Sequence, residues 1–247
     1  MKKVNNPEGV KPYNAVEGKK QQVKRMFDNI AGKYDMLNHL LSMGIDKIWR
    51  RNLISMLATG KPSKILDVAT GTGDLAIQAS KRIPGASVTG LDISAGMLDI
   101  ARKKVQKQGL EDKIDFVLGD SEDMPFSANT FDAVTVAFGV RNFENLKKGL
   151  EEMRRVLKPQ GKVYILEFST PRNRLAGTVY NFYFRYLLPF IGKVTSKDPK
   201  AYKYLYESVQ AFPCYEDFLT IMKEAGFKSN KYKIQTLGIC SIYTGEK

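Results

Sequence analysis

A glycine turn and three acids at strand ends are the residues of this sequence best placed to do chemistry. DVATGTGD runs from Asp67 to Asp74. Gly71 and Gly73 let backbone approach a ligand closely, and a helix opening at that point aims its free N–H groups at it. Gly71-x-Gly73-x-x-Ala76 also satisfies a loose dinucleotide fingerprint, and Asp92 follows about 20 residues later, where an acid takes ribose hydroxyls. A nicotinamide or flavin ligand therefore competes with other adenosine ligands. Asp67 argues for the others, since its charge would repel a pyrophosphate and attract a sulfonium or an ammonium. Asp120, in GDSEDMPF, can accept from an adenine amino group while Ser121 offers its backbone. Each acid alone has an ordinary reading as a cap of the next helix; three in register describe a site for a cationic nucleoside, made of Asp67, Gly71, Thr72, Gly73, Asp92, Ile93, Asp120 and Ser121.

Strands must end where those acids stand. KILDVA (64–69), SVTGLDI (87–93), IDFVLGD (114–120), FDAVTVAFGV (131–140) and KVYILEF (162–168) are apolar runs of strand length, the fourth continuous enough to be buried on both faces. Between them Leu75, Ala76 and Ala79, then Met97, Leu98, Ala101 and Val105 behind a Ser94 cap, then Leu146, Leu150, Met153 and Leu157 before Pro159 and Gly161, recur at helical spacing. Alternating strands and helices predict a doubly wound α/β sheet. Two amphipathic helices, around Val23–Ala31 and Trp49–Leu57, precede it. A helix around Phe218–Met222 and two extended runs, 228–236 and 238–244, follow; the runs can pair as an antiparallel hairpin. Residues 176–192 hold six aromatics, Tyr180 to Phe190, and read as an insertion that packs in the core or lines an apolar entrance.

These motifs carry a resemblance. DVATGTGD, LDIS, GDSEDMPF and LKPQGKVYILEF resemble the class I S-adenosylmethionine (SAM) methyltransferases. YDMLNHLLSMGIDKIWRR (34–51), AFGVRNF (137–143) and the tail from Ala201 to Gly245 are similar to the ubiquinone/menaquinone biosynthesis C-methyltransferases, over nearly the whole chain from Val23. One departure is Ala69-Thr70-Gly71, where many relatives have a glycine pair. The resemblance implies a Rossmann-like, mostly parallel seven-stranded sheet with a C-terminal antiparallel hairpin strand, SAM as cofactor, and methyl transfer to a ring carbon of a polyprenylated hydroquinone such as demethylmenaquinol, with the benzoquinol of the ubiquinol pathway as a second candidate. An RNA methyltransferase and a SAM-binding partner protein are the rival classes. A carbon nucleophile of this kind needs its neighbouring hydroxyl deprotonated, so donors or cations belong near the ring oxygens. Arg141 and Asn142, just past the fourth strand, and Tyr34, in the N-terminal cover, are the catalytic candidates. Arg141 has Glu167 as an alternative partner, and His39 is set aside as a packing or surface residue.

Composition narrows the classes further. Two cysteines (Cys214, Cys240) and one histidine in 247 residues are too few for a disulfide framework, a Cys/His zinc site or a Ser/His/Asp triad, and no metal is expected. The longest run free of charge is 12 residues, 234–245, against the about 20 apolar residues of a membrane-spanning helix. The basic start lacks an apolar run, which predicts no secretory signal and a cytoplasmic location. The net charge of +13 divides as +7 over residues 1–62, zero over 63–170 and +6 over 171–247. Basic flanks around a neutral core predict peripheral attachment to an anionic membrane surface, or solvated lysines. A nucleic-acid partner is not expected, since no RNA-binding module or stacking groove is evident; a homodimer is allowed. The expected organisation is one domain, 1–247: a flexible 1–20, a helical cover 21–62, a SAM-binding core 63–170, a substrate-side insertion 171–215, and a C-terminal helix and hairpin 216–247.

Overall fold

The computed structural model describes residues 7–172 and 199–247. Strands β1 (Lys64–Val68), β2 (Ser87–Asp92), β3 (Ile114–Leu118), β4 (Phe131–Ala137), β5 (Leu157–Phe168), β6 (Lys228–Gln235) and β7 (Cys240–Glu246) form one sheet in the order β3-β2-β1-β4-β5-β7-β6. The first five are parallel, and β7 pairs antiparallel with β5 on one side and β6 on the other. The order reverses between β1 and β4, where ligands collect beyond the carboxyl ends of the strands.

Period-two alternation gives the sheet two apolar faces. Ile65, Val88, Ala133, Tyr164 and Ile242 pack against helices α3 (Asp46–Ala58), α4 (Asp74–Arg82) and α5 (Ala95–Lys107) through Leu53, Leu57, Leu75 and Leu98. Leu66, Val68, Val134, Val136 and Ile165 face α6 (Leu146–Val156) and a C-terminal helix, Glu216–Glu224, through Leu150, Met153, Phe218 and Met222. The Ser94 side chain accepts from the Met97 N–H and caps α5 as expected.

Three boundaries differ from the sequence reading. β4 stops at Ala137 because Phe138 takes a left-handed φ of 61°, and the chain then makes a short 3-10 turn, Val140–Asn142. β5 starts at Leu157, directly after α6, and pairs Leu157 with Phe131 across an irregularity before Ala133. The cover has a further break: α1 (Lys19–Ile30) passes through a 3-10 turn at Ala31–Lys33 into α2 (Tyr34–Leu41) before α3. The stretch expected to be flexible is anchored from Pro7 onward. The Lys19 ammonium, 1% exposed, donates to the Pro7 and Arg141 carbonyls at 2.7 and 2.8 Å, and the Gln22 carboxamide accepts from the Tyr13 and Asn14 N–H groups. The aromatic run Tyr180–Phe190 lies outside the described residues. The final helices are α7 (Pro199–Ala211) and α8 (Glu216–Glu224).

Gly149 inside α6 tests the packing that carries the 140–142 turn. A Cβ there would overlap the buried Phe143 ring. Alanine gains about 1 kcal/mol of helix propensity over glycine, and overpacking costs about 1–3 kcal/mol. Gly149→Ala should therefore lower the thermal midpoint, in spite of its better propensity; a raised midpoint in a melting scan would show that Phe143 yields freely.

Candidate active site

A cleft enclosing about 690 Å³, its open mouth included, lies over the carboxyl ends of β1, β2, β3 and β4, where the ligands of such sheets bind. Its floor and walls are the residues that follow each strand. Gly71 comes after β1, Asp92 closes β2 and Ile93 follows it, Gly119 to Glu122 come after β3, and Phe138, Gly139 and Asn142 come after β4. The cover contributes Lys20, Val23 and Phe27 from α1 and Tyr34 from α2.

Asp92 joins two of these turns. One carboxylate oxygen accepts from the Gly71 N–H at 2.8 Å and the other from the Ser94 N–H at 2.9 Å. Gly71 reaches that position with φ +56°, which glycine adopts without strain. Burial pushes the Asp92 carboxyl up to about 6, against the pull of its N–H donors. The arrangement discriminates between ligands. The Gly71 N–H is already committed to a carboxylate, and the cleft is further lined by Asp120, Glu122 and Glu144. An acid-lined cleft fits a cationic nucleoside, and it repels a dinucleotide's pyrophosphate.

Asp67 lies behind this wall, outside the cleft lining. It is 1% exposed and takes the Thr70 and Thr135 hydroxyls at 2.6 and 2.7 Å, and burial raises its carboxyl to about 6. Its position braces the glycine turn against β4. Thr72 and Gly73 are likewise outside the lining. The Thr72 hydroxyl donates to Asp35 of α2 and accepts from Lys104 of α5, which also pairs with Asp35 and Asp74. Asp120 and Ser121 both line the cleft. Lys20 holds Asp120 at 2.6 Å and Glu122 at 3.4 Å; a lysine so far away in sequence carries no local signal of that pairing.

Asn142 and Tyr34 also line the cleft, and Arg141 stands behind it. The Arg141 guanidinium pairs with the fully buried Glu167 at 2.8 Å, the partner that the end of β5 offered, and donates to the Phe138 carbonyl. Its Nε has no hydrogen-bond partner among the described residues. Burial raises the Glu167 carboxyl even with Arg141 alongside. Tyr34 stands edge-on to Phe27 at 5.8 Å and close to Gly71, where a Cβ would meet its ring at 3.8 Å. Burial raises the Tyr34 hydroxyl above its ordinary value, keeping it a donor. His39 falls within α2, its side chain outside the described residues. Sequence reasoning missed Glu167's full burial, Lys19 and Lys20 of the strap, and Tyr204 of α7, whose hydroxyl donates to Asn142 Oδ1 at 3.1 Å.

Comparisons with known proteins identify the family. The model of the ubiE/COQ5 methyltransferase family matches residues 15–247. A demethylmenaquinone methyltransferase of Bacteroides fragilis is 46% identical over 240 residues, covering 97% of this chain and 98% of that protein. The ubiquinone/menaquinone biosynthesis C-methyltransferase UbiE of Geobacter sulfurreducens is 45% identical over 230 residues, 93% of this chain and 90% of that one. Among solved structures, a SAM-dependent methyltransferase from Aquifex aeolicus shares the fold with a TM-score of 0.55 at 20% identity, over 74% of this chain and 81% of the other. With a relative of that identity aligned over almost its full length and a cleft suited to a sulfonium nucleoside, the chain belongs to the ubiE/COQ5 methyltransferase family and is a SAM-dependent methyltransferase.

Proposed function

We propose that the chain methylates a ring carbon of a polyprenylated hydroquinone, turning demethylmenaquinol into menaquinol. The observation that carries this is that one cleft is lined both by the acids Asp92 and Asp120 and by the donors Asn142 and Tyr34, with Arg141 buried behind Asn142. The relatives named for demethylmenaquinone and for ubiquinone/menaquinone biosynthesis support the same acceptor class.

Asp92 and Ile93 hold the ribose side of the cofactor, Gly71 lets it approach β1, and Asp120 with Ser121 faces the adenine. Asp67, Thr72 and Gly73 act from behind by fixing the turn. Lys20 must release Asp120 for the amino group; the pair is about 30% exposed on each side, and such exposed pairs contribute about 1 kcal/mol or less. When bound, SAM supplies an electrophilic methyl group. The chain's part is alignment and charge. Tyr34 and Asn142 donate to the acceptor's oxygens, and Arg141 stabilises the phenolate from behind. The acceptor's hydroxyl proton passes to solvent as the phenolate forms, the ring carbon takes the methyl group as the methyl–sulfur bond breaks and the thioether leaves, and the ring carbon's own proton then moves to the oxygen, restoring the aromatic hydroquinone. The acceptor's tail stays in lipid, and peripheral attachment to anionic membrane brings the enzyme to it; among the described residues no helix is long and apolar enough to cross a bilayer.

Incubation with a membrane-lipid extract and methyl-labelled SAM tests the reading: label should enter the quinol fraction, and label in RNA instead would overturn it. Asp92→Ala should lose roughly 2–4 kcal/mol of SAM binding by calorimetry, two charge-assisted hydrogen bonds being removed. The raised Asp92 pKa adds a sign. Below about 6 the carboxyl holds a proton in the free protein, so SAM affinity should fall about tenfold between pH 7 and pH 5; a flat profile would remove Asp92 from the ribose. Arg141→Gln or Tyr34→Phe should slow methylation on the order of 100-fold with SAM affinity retained, and an equal loss of SAM affinity would make them structural.

A further inference from the structure

Two apolar residues stand where the backbone is costly for them and packing gives little in return. Met43, between α2 and α3, has φ +50° and is 75% exposed; Leu237, between β6 and β7, has φ +55° and is 77% exposed. The left-handed region disfavours every residue with a side chain, and Asn, Asp and Gly are its usual occupants. A polar residue would fold more easily at both tips, so an exposed Met and Leu there call for something outside the chain.

The elements that carry the two tips are packed against each other. The Trp49 indole donates to Thr236 Oγ1 at 2.8 Å, and the Asn52 carboxamide donates to Gln235 Oε1 at 2.8 Å, which seats α3 beside the end of β6. Ile48, 52% exposed, is one helical turn before Asn52 on the same side of α3. Lys47 and Arg51 are exposed on α3, and Lys233 shares the β6 face of Gln235. None of these three cations forms an ion pair among the described residues. The stretches 43–58 and 228–241 contain one acid between them, Asp46, which is buried against Arg50. An apolar tip ringed by unopposed cations is complementary to an anionic bilayer, which offers acyl chains beneath negative headgroups.

Its location also fits. β7 is antiparallel to both β5 and β6, so β6 runs with β5 and its Leu237 tip lies at the carboxyl edge of the sheet, the edge that holds the cleft. Trp49, next to Ile48, packs on Phe138 and Phe168 with ring centroids 6.1 Å from each, and Phe138 lines the cleft. We infer that Met43, Ile48 and Leu237, with Lys47, Arg51 and Lys233, form the surface that seats on anionic lipid. The inference rests on the proposed peripheral attachment and gives it an address.

Asparagine at the two tips removes the apolar groups and suits the backbone, so the test does not depend on a damaged fold. Vesicles of phosphatidylcholine, with and without phosphatidylglycerol, are sedimented with the wild type, with the double variant Met43→Asn/Leu237→Asn, and with the triple variant Lys47→Gln/Arg51→Gln/Lys233→Gln. The wild type should bind the anionic vesicles at low salt; each variant should bind them roughly tenfold more weakly, the double one with its melting temperature unchanged or raised. Methylation of a short-tailed, water-soluble quinol should stay at the wild-type rate in both. Wild-type binding that both variants retain would overturn this surface and leave attachment standing. A wild type that ignores both vesicle types would overturn attachment itself. A dimer that dissociates on Met43→Asn/Leu237→Asn, with vesicle binding intact, would assign the surface to a second copy of the chain.

Discussion

The Asp92 carboxylate between the Gly71 and Ser94 N–H groups fixes the geometry on which the cleft depends. A parallel sheet sends every β-to-α turn to the same edge, yet nothing in the strand ladder holds one turn to the next. Asp92 closes that gap for the first two turns, and the Thr70 N–H extends it by donating to the Leu91 carbonyl at 3.0 Å. Asp67 does the equivalent one layer deeper, joining Thr70 after β1 to Thr135 of β4. Both acids are buried without a direct cation, and desolvation raises both carboxyls to about 6. Hydrogen bonds, helped at Asp67 by the nearby Arg50 charge, favour their charged forms, which makes the wall stiff and leaves it negative where a sulfonium nucleoside is expected.

The cover is held on a different principle. Asp28 of α1 accepts from the Ser94 hydroxyl at 2.5 Å and the Gly96 N–H at 3.2 Å, Asp35 of α2 takes Thr72 and Lys104, and Lys20 takes Asp120. Apart from the Lys104 contact, which falls in the last turn of α5, each lands on, or at the helix start just beyond, a different strand's terminal turn, so α1 and α2 are registered on the three turns after β1, β2 and β3. These contacts are partly exposed, and exposed ion pairs contribute little singly. The Lys19 ammonium is the exception, being buried and pushed down to about 8 by desolvation. It ties the start of α1 to the Arg141 carbonyl in the turn beyond β4. A stiff wall under a cover fastened by several weak bonds can admit and release a nucleoside with no rearrangement of the sheet.

Much of this was legible in the residues. The strands and their order of alternation with helices, the turn at Gly71, the Ser94 cap and the terminal hairpin follow from local pattern, and Asp92 closes β2 where the pattern put it. What was not legible has identifiable causes. Asp67 has the right type at the right strand end, but Leu66 and Val68 beside it face α6 and α8, so alternation turns Asp67 to the opposite side, into the threonines. Lys20 finds Asp120 only because the cover folds across the sheet, a tertiary fact with no local trace. Arg141 had two readings open, and Glu167 occupies it from the neighbouring strand. The extra break in the cover at Ala31–Lys33 lies inside a single amphipathic pattern, which periodicity reads through.

On the acceptor side, the orientation of Asn142 follows from its neighbours. The Phe138 carbonyl, 3.3 Å from Nδ2, can only accept, so the amide must turn its nitrogen there and its oxygen toward Tyr204. Burial raises the Tyr204 hydroxyl far above its ordinary range, which keeps it a donor to Oδ1. With the oxygen engaged and one amide N–H given to Phe138, Asn142 has a single N–H left to offer a ligand in the cleft that the residue lines. A developing phenolate is the state that such a donor stabilises more than the neutral hydroxyl. In the proposed reaction, Arg141 supplies charge from behind this turn without reaching the cleft itself. In that proposal the turn beyond β4 separates two tasks: the amide is the group that meets the acceptor, and the buried guanidinium, pinned by Glu167, sets the field in which it does so.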